Sequence, residues 1–282
     1  GAALSLRGFA TGAGAPRSVL NRALFTDCRF EENEADSAGG AAFVFGPSPG
    51  LGGALGQLAM DRCTMTGNLA PSGGAIYSRG QVLLEDIRFE RNAAALGGAM
   101  TLQATFAIGD TDFTAYSQLR NVVFRQNSST TAGGAIYATS HLPIYEGVQF
   151  EGNSSVQGGA IYQQGFTPPI TTTGFIDNVA SDAGGAIYAR NTGSIHLHNL
   201  VFSGNRATDV GGQGGDLAIE SNGAPGTLTS QVQLSHATLL DGIGDSGASI
   251  YLVDGQSDLT IRNSLVFGSN GRVYSVPVSG LP

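Results

Sequence analysis

The sequence predicts an all-β chain folded as a right-handed parallel β-helix, a solenoid in which each coil stacks on the one before it. Three observations predict this fold: two short motifs recur in register, the residues around them alternate between apolar and polar, and no helical pattern interrupts them. The repeat runs through nearly all of the 282 residues, so we expect a single domain over residues 1–282. Because residues 1–4 already resemble the second motif, we expect this domain to be a fragment of a longer chain.

The first motif places Asn three residues after Phe, and we call these two positions the Phe slot and the Asn slot. The motif recurs at Phe30/Asn33, Phe89/Asn92, Phe124/Asn127, Phe150/Asn153, Phe175/Asn178, Phe202/Asn205 and Phe267/Asn270, with Met65/Asn68 and a degenerate Leu239/Gly242. Five steps between successive Phe slots span 24 to 28 residues, and three span 35 to 37. The base repeat is therefore 24 to 28 residues, and the longer steps predict three inserted loops at about 46–56, 102–118 and 207–232.

The second motif is Gly-Gly-Ala, often followed by Ile-Tyr. It begins at Gly39, Gly73, Gly97, Gly133, Gly158 and Gly184, with looser copies around Gly211, Gly214 and Gly247. The chain contains 43 glycines, and their regular spacing is typical of turns rather than of a flexible linker. A catalytic motif normally occurs once, whereas a scaffold motif occurs as often as the scaffold repeats. We therefore interpret both motifs as architecture.

The residues that lead into each Phe slot alternate, as in 85–89 and 147–150. A period of two is typical of a β-strand, and Gly-Gly-Ala-Ile-Tyr forms a second short strand after a glycine turn. A repeat near 25 residues without helices suits one coil of a parallel β-helix, which buries its inner face only by stacking on its neighbours. The crossover between parallel strands is expected to be right-handed.

Stacking of the coils predicts two internal columns. The Phe side chains should form an aromatic column in the core, each contributing about 1.5–3 kcal/mol by burial. The Asn side chains should lie at the bend after the strand and pass amide hydrogen bonds from coil to coil.

The paired motifs resemble those of the polymorphic membrane proteins, the chlamydial autotransporter adhesins. The resemblance covers about residues 24–270 and rests on Phe-x-x-Asn and Gly-Gly-Ala-Ile at this spacing. It implies a bacterial protein that is secreted or displayed at the cell surface or outer membrane, as an adhesin or structural passenger domain. Its expected partners are a host or environmental surface protein or a glycan, and lateral or end-to-end self-association of the solenoid is a further expectation.

Composition narrows the remaining classes of partner. The net charge is −8, which argues against nucleic acid because phosphate binding needs a basic surface. No apolar run is long enough to span a bilayer. Cys28 and Cys63 occupy equivalent positions two residues before the Phe slot, where they fit either buried free thiols or a disulfide between adjacent coils.

A carbohydrate-active enzyme of the pectate lyase type is the alternative to adhesion, because many parallel β-helices act on polysaccharides. A hydrolase of that kind needs clustered carboxylates. Asp27, Arg62 and Asp86 should stack as an alternating surface charge ladder instead. Asp110 and Asp112 are the candidate Ca²⁺ ligands, although a loop Asp pair also fits turn chemistry. We expect no catalytic residue and no other cofactor, so the sequence favours binding over catalysis.

Two further surface features stay open at this point. His196 and His198 share one face of a strand but lack a third zinc ligand in sequence. Tyr77, Tyr137, Tyr162, Tyr188 and Tyr251 recur after the Gly-Gly-Ala-Ile strand, where they form either an exposed binding face or part of the core. Threonine does not recur at a constant position, as an ice-binding face would require. The three inserted loops are expected to carry recognition as well.

Overall fold

The computed structural model describes residues 4–6, 21–45, 56–103, 117–139, 143–165, 169–190, 194–221, 231–253, 257–267 and 274–275. The regular elements in this part of the chain are 31 β-strands. No candidate membrane-spanning helix occurs among the described residues.

The strands are short and follow one another in the same order in each coil. The first eleven are β1 (Leu4–Leu6), β2 (Asn21–Thr26), β3 (Arg29–Glu31), β4 (Ala42–Val44), β5 (Gly56–Asp61), β6 (Thr64–Thr66), β7 (Ile76–Ser78), β8 (Gln81–Glu85), β9 (Arg88–Glu90), β10 (Ala93–Leu96) and β11 (Met100–Gln103). The next eleven are β12 (Gln118–Arg120), β13 (Val123–Arg125), β14 (Ser128–Ala132), β15 (Ile136–Thr139), β16 (Ile144–Glu146), β17 (Val148–Glu151), β18 (Ser154–Gln157), β19 (Ile161–Gln164), β20 (Ile170–Ile176), β21 (Val179–Ala183) and β22 (Ile187–Arg190). The last nine are β23 (Ser194–Ser203), β24 (Arg206–Ala207), β25 (Leu217–Glu220), β26 (Gln231–Ser235), β27 (Thr238–Leu240), β28 (Ile250–Leu252), β29 (Asp258–Arg262), β30 (Leu265–Phe267) and β31 (Tyr274–Ser275).

These strands form three stacked sheets. Sheet A has ten strands in the order β1-β4-β7-β11-β15-β19-β22-β25-β28-β31, and sheet C has five in the order β10-β14-β18-β21-β24. Sheet B has sixteen strands in two rows that share β20 and β23: one row begins with β2-β5-β8, and the other contains the Phe slots and begins with β3-β6-β9. Neighbouring strands from successive coils pair in parallel, as in β13 with β17 and β15 with β19. The predicted parallel β-helix is confirmed, and its right-handed sense stays a prediction.

Each coil turns a left-handed corner that the alternation pattern did not predict. Residues 85–89 were predicted to lie in one strand, but Glu85 and Asp86 are both exposed, and Asp86, with φ of +53°, separates β8 from β9. Arg62, Asn121 and Asn199 adopt the same conformation at the equivalent position of their coils. Asn and Asp tolerate this conformation better than most residues, which accounts for their frequency in this position.

The two glycines of Gly-Gly-Ala serve different purposes. The first, such as Gly133 with φ of +66°, takes a conformation that side chains disfavour. The second lies against the backbone of the next coil: a Cβ atom at Gly134 would lie 2.0 Å from the carbonyl oxygen of Gly159. The motif is repeated because each coil must both turn sharply and approach its neighbour closely.

The core contains a column of parallel Phe rings. From Phe89 through Phe124, Phe150 and Phe175 to Phe202, neighbouring ring centroids lie 4.8 to 5.0 Å apart with planes within 8° of parallel. Met65 and Leu239 continue the column above and below this run, while Phe30 is half-buried beside Met65.

The prediction for the last coil is wrong by one residue. Leu239 pairs with Val266, so Val266 occupies the Phe slot, and Phe267 pairs with Leu240 on the outer face, where it is 65% exposed. A shift of one residue moves a side chain to the other face of a strand, and two adjacent apolar residues left that choice open in the sequence. Asn270 lies outside the described residues.

The Asn slots form a continuous hydrogen-bonded ladder. Its members among the described residues are Asn33, Asn68, Asn92, Asn127, Asn153, Asn178 and Asn205. In each step the Oδ1 atom of one Asn accepts hydrogen bonds from the backbone N–H and the side-chain Nδ2 of the preceding Asn, at 2.8 to 3.1 Å. The ladder therefore links seven successive coils through their side chains as well as their backbones.

The ladder amides from Asn68 to Asn205 also donate a hydrogen bond to the backbone of the preceding coil. Asn92 Nδ2 donates to the carbonyl of Met65 at 2.9 Å, and Asn178 Nδ2 donates to the carbonyl of Phe150 at 3.0 Å. Both acceptors are Phe-slot residues of the preceding coil, so the buried amide and the corner backbone satisfy one another. Asn92 and Asn178 are fully buried. These sequence-predicted positions therefore lie inside the solenoid and offer no surface to a partner.

Candidate functional site: the outer surface of the solenoid

The recurrent Tyr residues lie on the outer face of sheet A, outside the main core. Tyr162 and Tyr188 pack with Ala132, Ala183 and Ala218 in a second apolar cluster, against which Tyr137 is half-buried. Ring centroids are 5.0 Å apart from Tyr137 to Tyr162 and 5.4 Å apart from Tyr162 to Tyr188. Tyr77 and Tyr251 occupy the same column, separated from this group by Thr101 and Ala218. These two, with Tyr162 and Tyr188, are at most 9% exposed, so the rings offer little free surface for a sugar.

The Tyr hydroxyl groups bond to polar residues at the ends of neighbouring strands. Tyr77 Oη donates to Gln103 Oε1 at 2.6 Å, and Tyr188 Oη donates to Glu220, which also pairs with Arg190 at 3.3 Å. Burial, together with the contact to Glu220, raises the pKa of Tyr188 well above its usual range. This hydroxyl therefore stays protonated at neutral pH and serves as a structural donor.

The outer surface beside the Phe column is open to solvent. We define the lateral strip as the two outward positions that flank each Phe slot: Arg29, Glu31, Thr64, Thr66, Arg88, Glu90, Val123, Arg125, Gln149, Glu151, Gly174, Ile176, Val201, Ser203, Thr238, Leu240, Leu265 and Phe267. Because side chains alternate along a strand, these positions point away from the buried Phe slot.

The lateral strip changes character along the solenoid. Over the first five coils, up to Glu151, it carries six charged side chains, and Arg125 and Glu151 from adjacent coils approach to 3.5 Å. From Gly174 onward it carries none. The exposed fractions there are 39% for Ile176, 46% for Val201 and 57% for Leu265. Sequence analysis did not identify this apolar half, because it becomes visible only when strand register aligns single residues from four coils.

The first step of the predicted charge ladder, from Asp27 to Arg62, lies at the left-handed corner. Arg62 donates to Asp27 at 2.8 Å across the two coils and also pairs with Asp61. The hydrogen bond from Arg62 holds the pKa of Asp27 below its usual value. Asp86 occupies the equivalent corner of the next coil. These side chains are exposed, so their pairing contributes little to stability.

The structure places His198 beside a histidine of the next coil. The rings of His198 and His236 have centroids 4.9 Å apart, and His198 Nδ1 lies 3.0 Å from Ser235 Oγ. His196 lies two residues earlier on the same outward face. Within the described part of the chain, no three His, Cys, Asp or Glu side chains are grouped so that they could hold a metal ion.

The remaining sequence-predicted features are the loop aspartates, the inserted loops and the two cysteines. Asp110 and Asp112 lie outside the described residues, as does most of the first two inserted loops; in the third, the structure describes 207–221 and 231–232. Cys28 and Cys63 are free thiols in adjacent coils, and the backbone N–H of Cys28 donates to Cys63 Sγ at 3.3 Å. Burial raises the pKa of the Cys63 thiol, which lowers its reactivity.

Comparison with known proteins identifies the repeat. Four segments match the model of the Chlamydia polymorphic membrane protein repeat, at residues 62–79, 121–139, 147–164 and 175–190. Each match includes the Phe slot, the Asn slot, the glycine turn and the sheet A strand of one coil. No curated protein and no solved structure matches the chain.

Proposed function

Because the chain carries polymorphic membrane protein repeats, we propose that it is the passenger part of a surface-exposed, autotransporter-type bacterial protein and acts as an adhesin. The repeats support the surface location, since the family they define is named for membrane proteins. The stacked coils supply a rigid scaffold that presents its outer faces to other molecules. A host or environmental surface is the partner class that such a scaffold serves.

The observation that carries the adhesive role is the apolar half of the lateral strip. Ile176 and Val201 project from adjacent coils of one sheet, Leu265 projects from the second coil beyond Val201, across Thr238, and all three remain substantially exposed. Contiguous exposed apolar groups on a soluble scaffold mark sites of interaction. Aliphatic side chains bind by excluding water from a matching apolar surface, so a protein receptor suits this half of the strip better than a glycan does.

Adhesion has more support than the carbohydrate enzyme does. A hydrolase or lyase would draw on a cluster of carboxylates or on a basic residue beside bound Ca²⁺. The described carboxylates that contact Arg side chains form pairs within one coil, such as Glu90 with Arg91 at 2.8 Å, or between coils, such as Glu146 with Arg120 at 3.1 Å. We therefore infer a binding role and test catalysis in the same experiment.

The test measures binding and turnover together. The fluorescently labelled chain is applied to a cultured epithelial monolayer, an array of immobilised extracellular matrix proteins and a glycan array, and is incubated with polygalacturonate and alginate in the presence of Ca²⁺. We expect saturable binding to a protein surface. Val201→Glu should weaken that binding at least about tenfold, because it places a charge in the centre of the apolar contact.

Val123→Glu is the matched control, since Val123 occupies the same position before Phe124 that Val201 occupies before Phe202. It adds the same charge to the charged half of the strip and should leave binding within about twofold. Equal loss in both variants would contradict the assignment of the binding face. New unsaturated or reducing ends in the polysaccharides would overturn the adhesin proposal, and binding to glycans alone would replace the protein receptor with a sugar.

A further inference from the structure

The asparagine ladder ends at a different kind of residue. The Asn slot of the coil after Asn205 is Gly242, which has no side chain to accept the next amide hydrogen bonds. Asn205 Nδ2 instead donates to Asp216 Oδ1 at 2.9 Å. Asp216 belongs to the glycine turn on the opposite side of the coil, at the third position of the motif, which is Ala41, Ala75, Ala99, Ala135, Ala160 or Ala186 in earlier coils.

Asp216 and Gly242 are sterically complementary. A Cβ atom at Gly242 would lie 2.6 Å from Asp216 Oδ2, so a side chain at position 242 and the carboxylate at position 216 cannot occupy the site together. Two oxygen atoms converge on the same point, since Ala248 O and Ser249 Oγ would each lie 2.8 Å from that Cβ. The carboxylate thus fills the volume that a ladder asparagine would take.

The site is arranged for a hydrogen on Oδ2. Asp216 is fully buried, and neither its Oδ2 nor Ser249 Oγ makes a hydrogen bond of ordinary geometry with the described residues. Oδ2, Ala248 O and Ser249 Oγ surround the point where a Cβ of Gly242 would lie, so a protonated Oδ2 has potential acceptors on this side, whereas an ionised Oδ2 has only the Ser249 hydroxyl as a potential donor there. Burying an ionised carboxylate without a donor for each oxygen is costly.

Among the described residues, no salt bridge to Asp216 offsets the cost of burying its ionised carboxylate. The other charged side chains in segments 205–221 and 237–253, which hold the site, are Arg206, Asp209, Asp241 and Asp245, which are exposed, and Glu220, which bonds to Tyr188. Burial raises the pKa of Asp216 to about 7, and the neighbouring Asn205 and Ser249 oppose the shift only in part.

We propose that the protonated carboxyl group of Asp216 is the terminal rung of the asparagine ladder, and that loss of its proton loosens the attachment of the coils that follow. This inference is independent of the proposed adhesin function, because it concerns how the last described coils are held. The solenoid then has one position at which its cohesion responds to pH near neutrality.

The sign of the effect follows from the folded and unfolded pKa values. The pKa rises from 3.8 for a free carboxyl to about 7 in the folded chain. Between these values the folded chain holds a proton that the unfolded chain releases, so stability falls as pH rises across this interval. The stabilisation is complete below about pH 4 and absent above about pH 7.

Thermal unfolding of the wild type and of Asp216→Asn at pH 6 and pH 8, followed by circular dichroism, tests the proposal. Asn is the neutral counterpart of the protonated carboxyl and can accept from Asn205 while donating to Ser249. The wild type should melt at a lower temperature at pH 8 than at pH 6. The variant should lose most of this difference and melt at least about 3 °C above the wild type at pH 8.

Asp209→Asn is the control for general charge effects, since Asp209 is an exposed carboxylate nearby; it should keep the pH dependence of the wild type. Hydrogen exchange of the Leu217 amide, which donates to Ser249 O at 2.8 Å, gives a local readout. Its protection factor should fall between pH 6 and pH 8 in the wild type but not in Asp216→Asn.

A double substitution keeps the proposal testable if Asp216→Asn fails to fold. Gly242→Asn should lower the melting temperature less in the Asp216→Ala background than in the wild type, because Asp216→Ala relieves the contact of the new Cβ with Oδ2 while the contact with Ala248 O remains. The same pH dependence in the wild type and Asp216→Asn would overturn the proposal. So would single and double effects at positions 216 and 242 that simply add.

Discussion

The coils from Phe89 to Phe202 and the coils of Leu239 and Val266 have the same backbone path but different interiors. In the first group, stacked rings and a buried Asn repeat in each coil. In the second group the Phe slot is aliphatic, the Asn slot of the Leu239 coil is Gly242, and Asp216 completes the ladder from the other side. The comparison teaches that the fold requires a filled column and a satisfied corner, whereas the particular residues that provide them are replaceable.

Among substitutions that compare the two groups of coils, a change at the second glycine of the turn should have the largest effect on the free energy of unfolding. Gly134→Ala places a methyl group 2.0 Å from the Gly159 carbonyl oxygen, so we expect it to lower the free energy of unfolding by about 4 kcal/mol or more. In the last described turn this position is already Ala248. Urea denaturation should show that Ala248→Gly changes the free energy of unfolding by only about 1 kcal/mol. A Gly134→Ala variant with an unaltered midpoint would contradict the close packing of the coils.

Removing an Asn from the middle of the ladder should lower the free energy of unfolding by less than Gly134→Ala does. It should lower it by more than removing the Asn at the end of the ladder. Asn153→Ala leaves the Asn127 amide donors and the Phe124 carbonyl without their partner. Each orphaned buried group costs about 1–3 kcal/mol, so we expect a total of about 3 kcal/mol or more by urea denaturation. Asn33→Ala, at the half-buried end of the ladder, removes one side-chain donor to Asn68 and should cost about 1 kcal/mol or less. Equal losses of stability in the two variants would contradict the idea that the number of buried groups left without a partner sets the loss.

The smallest effect on the free energy of unfolding should come from removing one of the charged side chains that distinguish the outer surfaces of the two groups of coils. Arg125 and Glu151 of the lateral strip pair across coils with side chains 42% and 43% exposed, so Arg125→Ala should destabilise the chain by less than about 1 kcal/mol. The loss should shrink further in about 0.5 M NaCl, because salt screens exposed pairs. A larger, salt-independent loss would show that the charged coils depend on ion pairs for their stability. The expected result would show that the stability of the charged coils does not depend on these ion pairs.

Much of the fold was predictable because its constraints recur in every coil. The Phe slot, the Asn slot and the glycine turn each impose the same requirement in many coils, so the same residue types recur in the sequence at regular intervals. The left-handed corner at Asp86 was missed although the alternation breaks there, since Glu85 and Asp86 are adjacent polar residues and both are exposed. Phe267 was misplaced because Val266 satisfies the same slot. Asp216 was missed because its role depends on a contact across the coil with Gly242, and such a contact leaves no periodic signal.

The spacing of the Phe rings has a consequence for how such a protein changes in length. Because each coil advances the column by 4.8 to 5.0 Å, gain or loss of one repeat alters the reach of the scaffold by about one strand spacing. The register of the side faces is unchanged by such a step, since each coil presents the same outward positions. The number of repeats therefore sets the length of the solenoid in fixed steps. Duplication of one repeat can move a binding surface along the solenoid axis without changing the residues that form it.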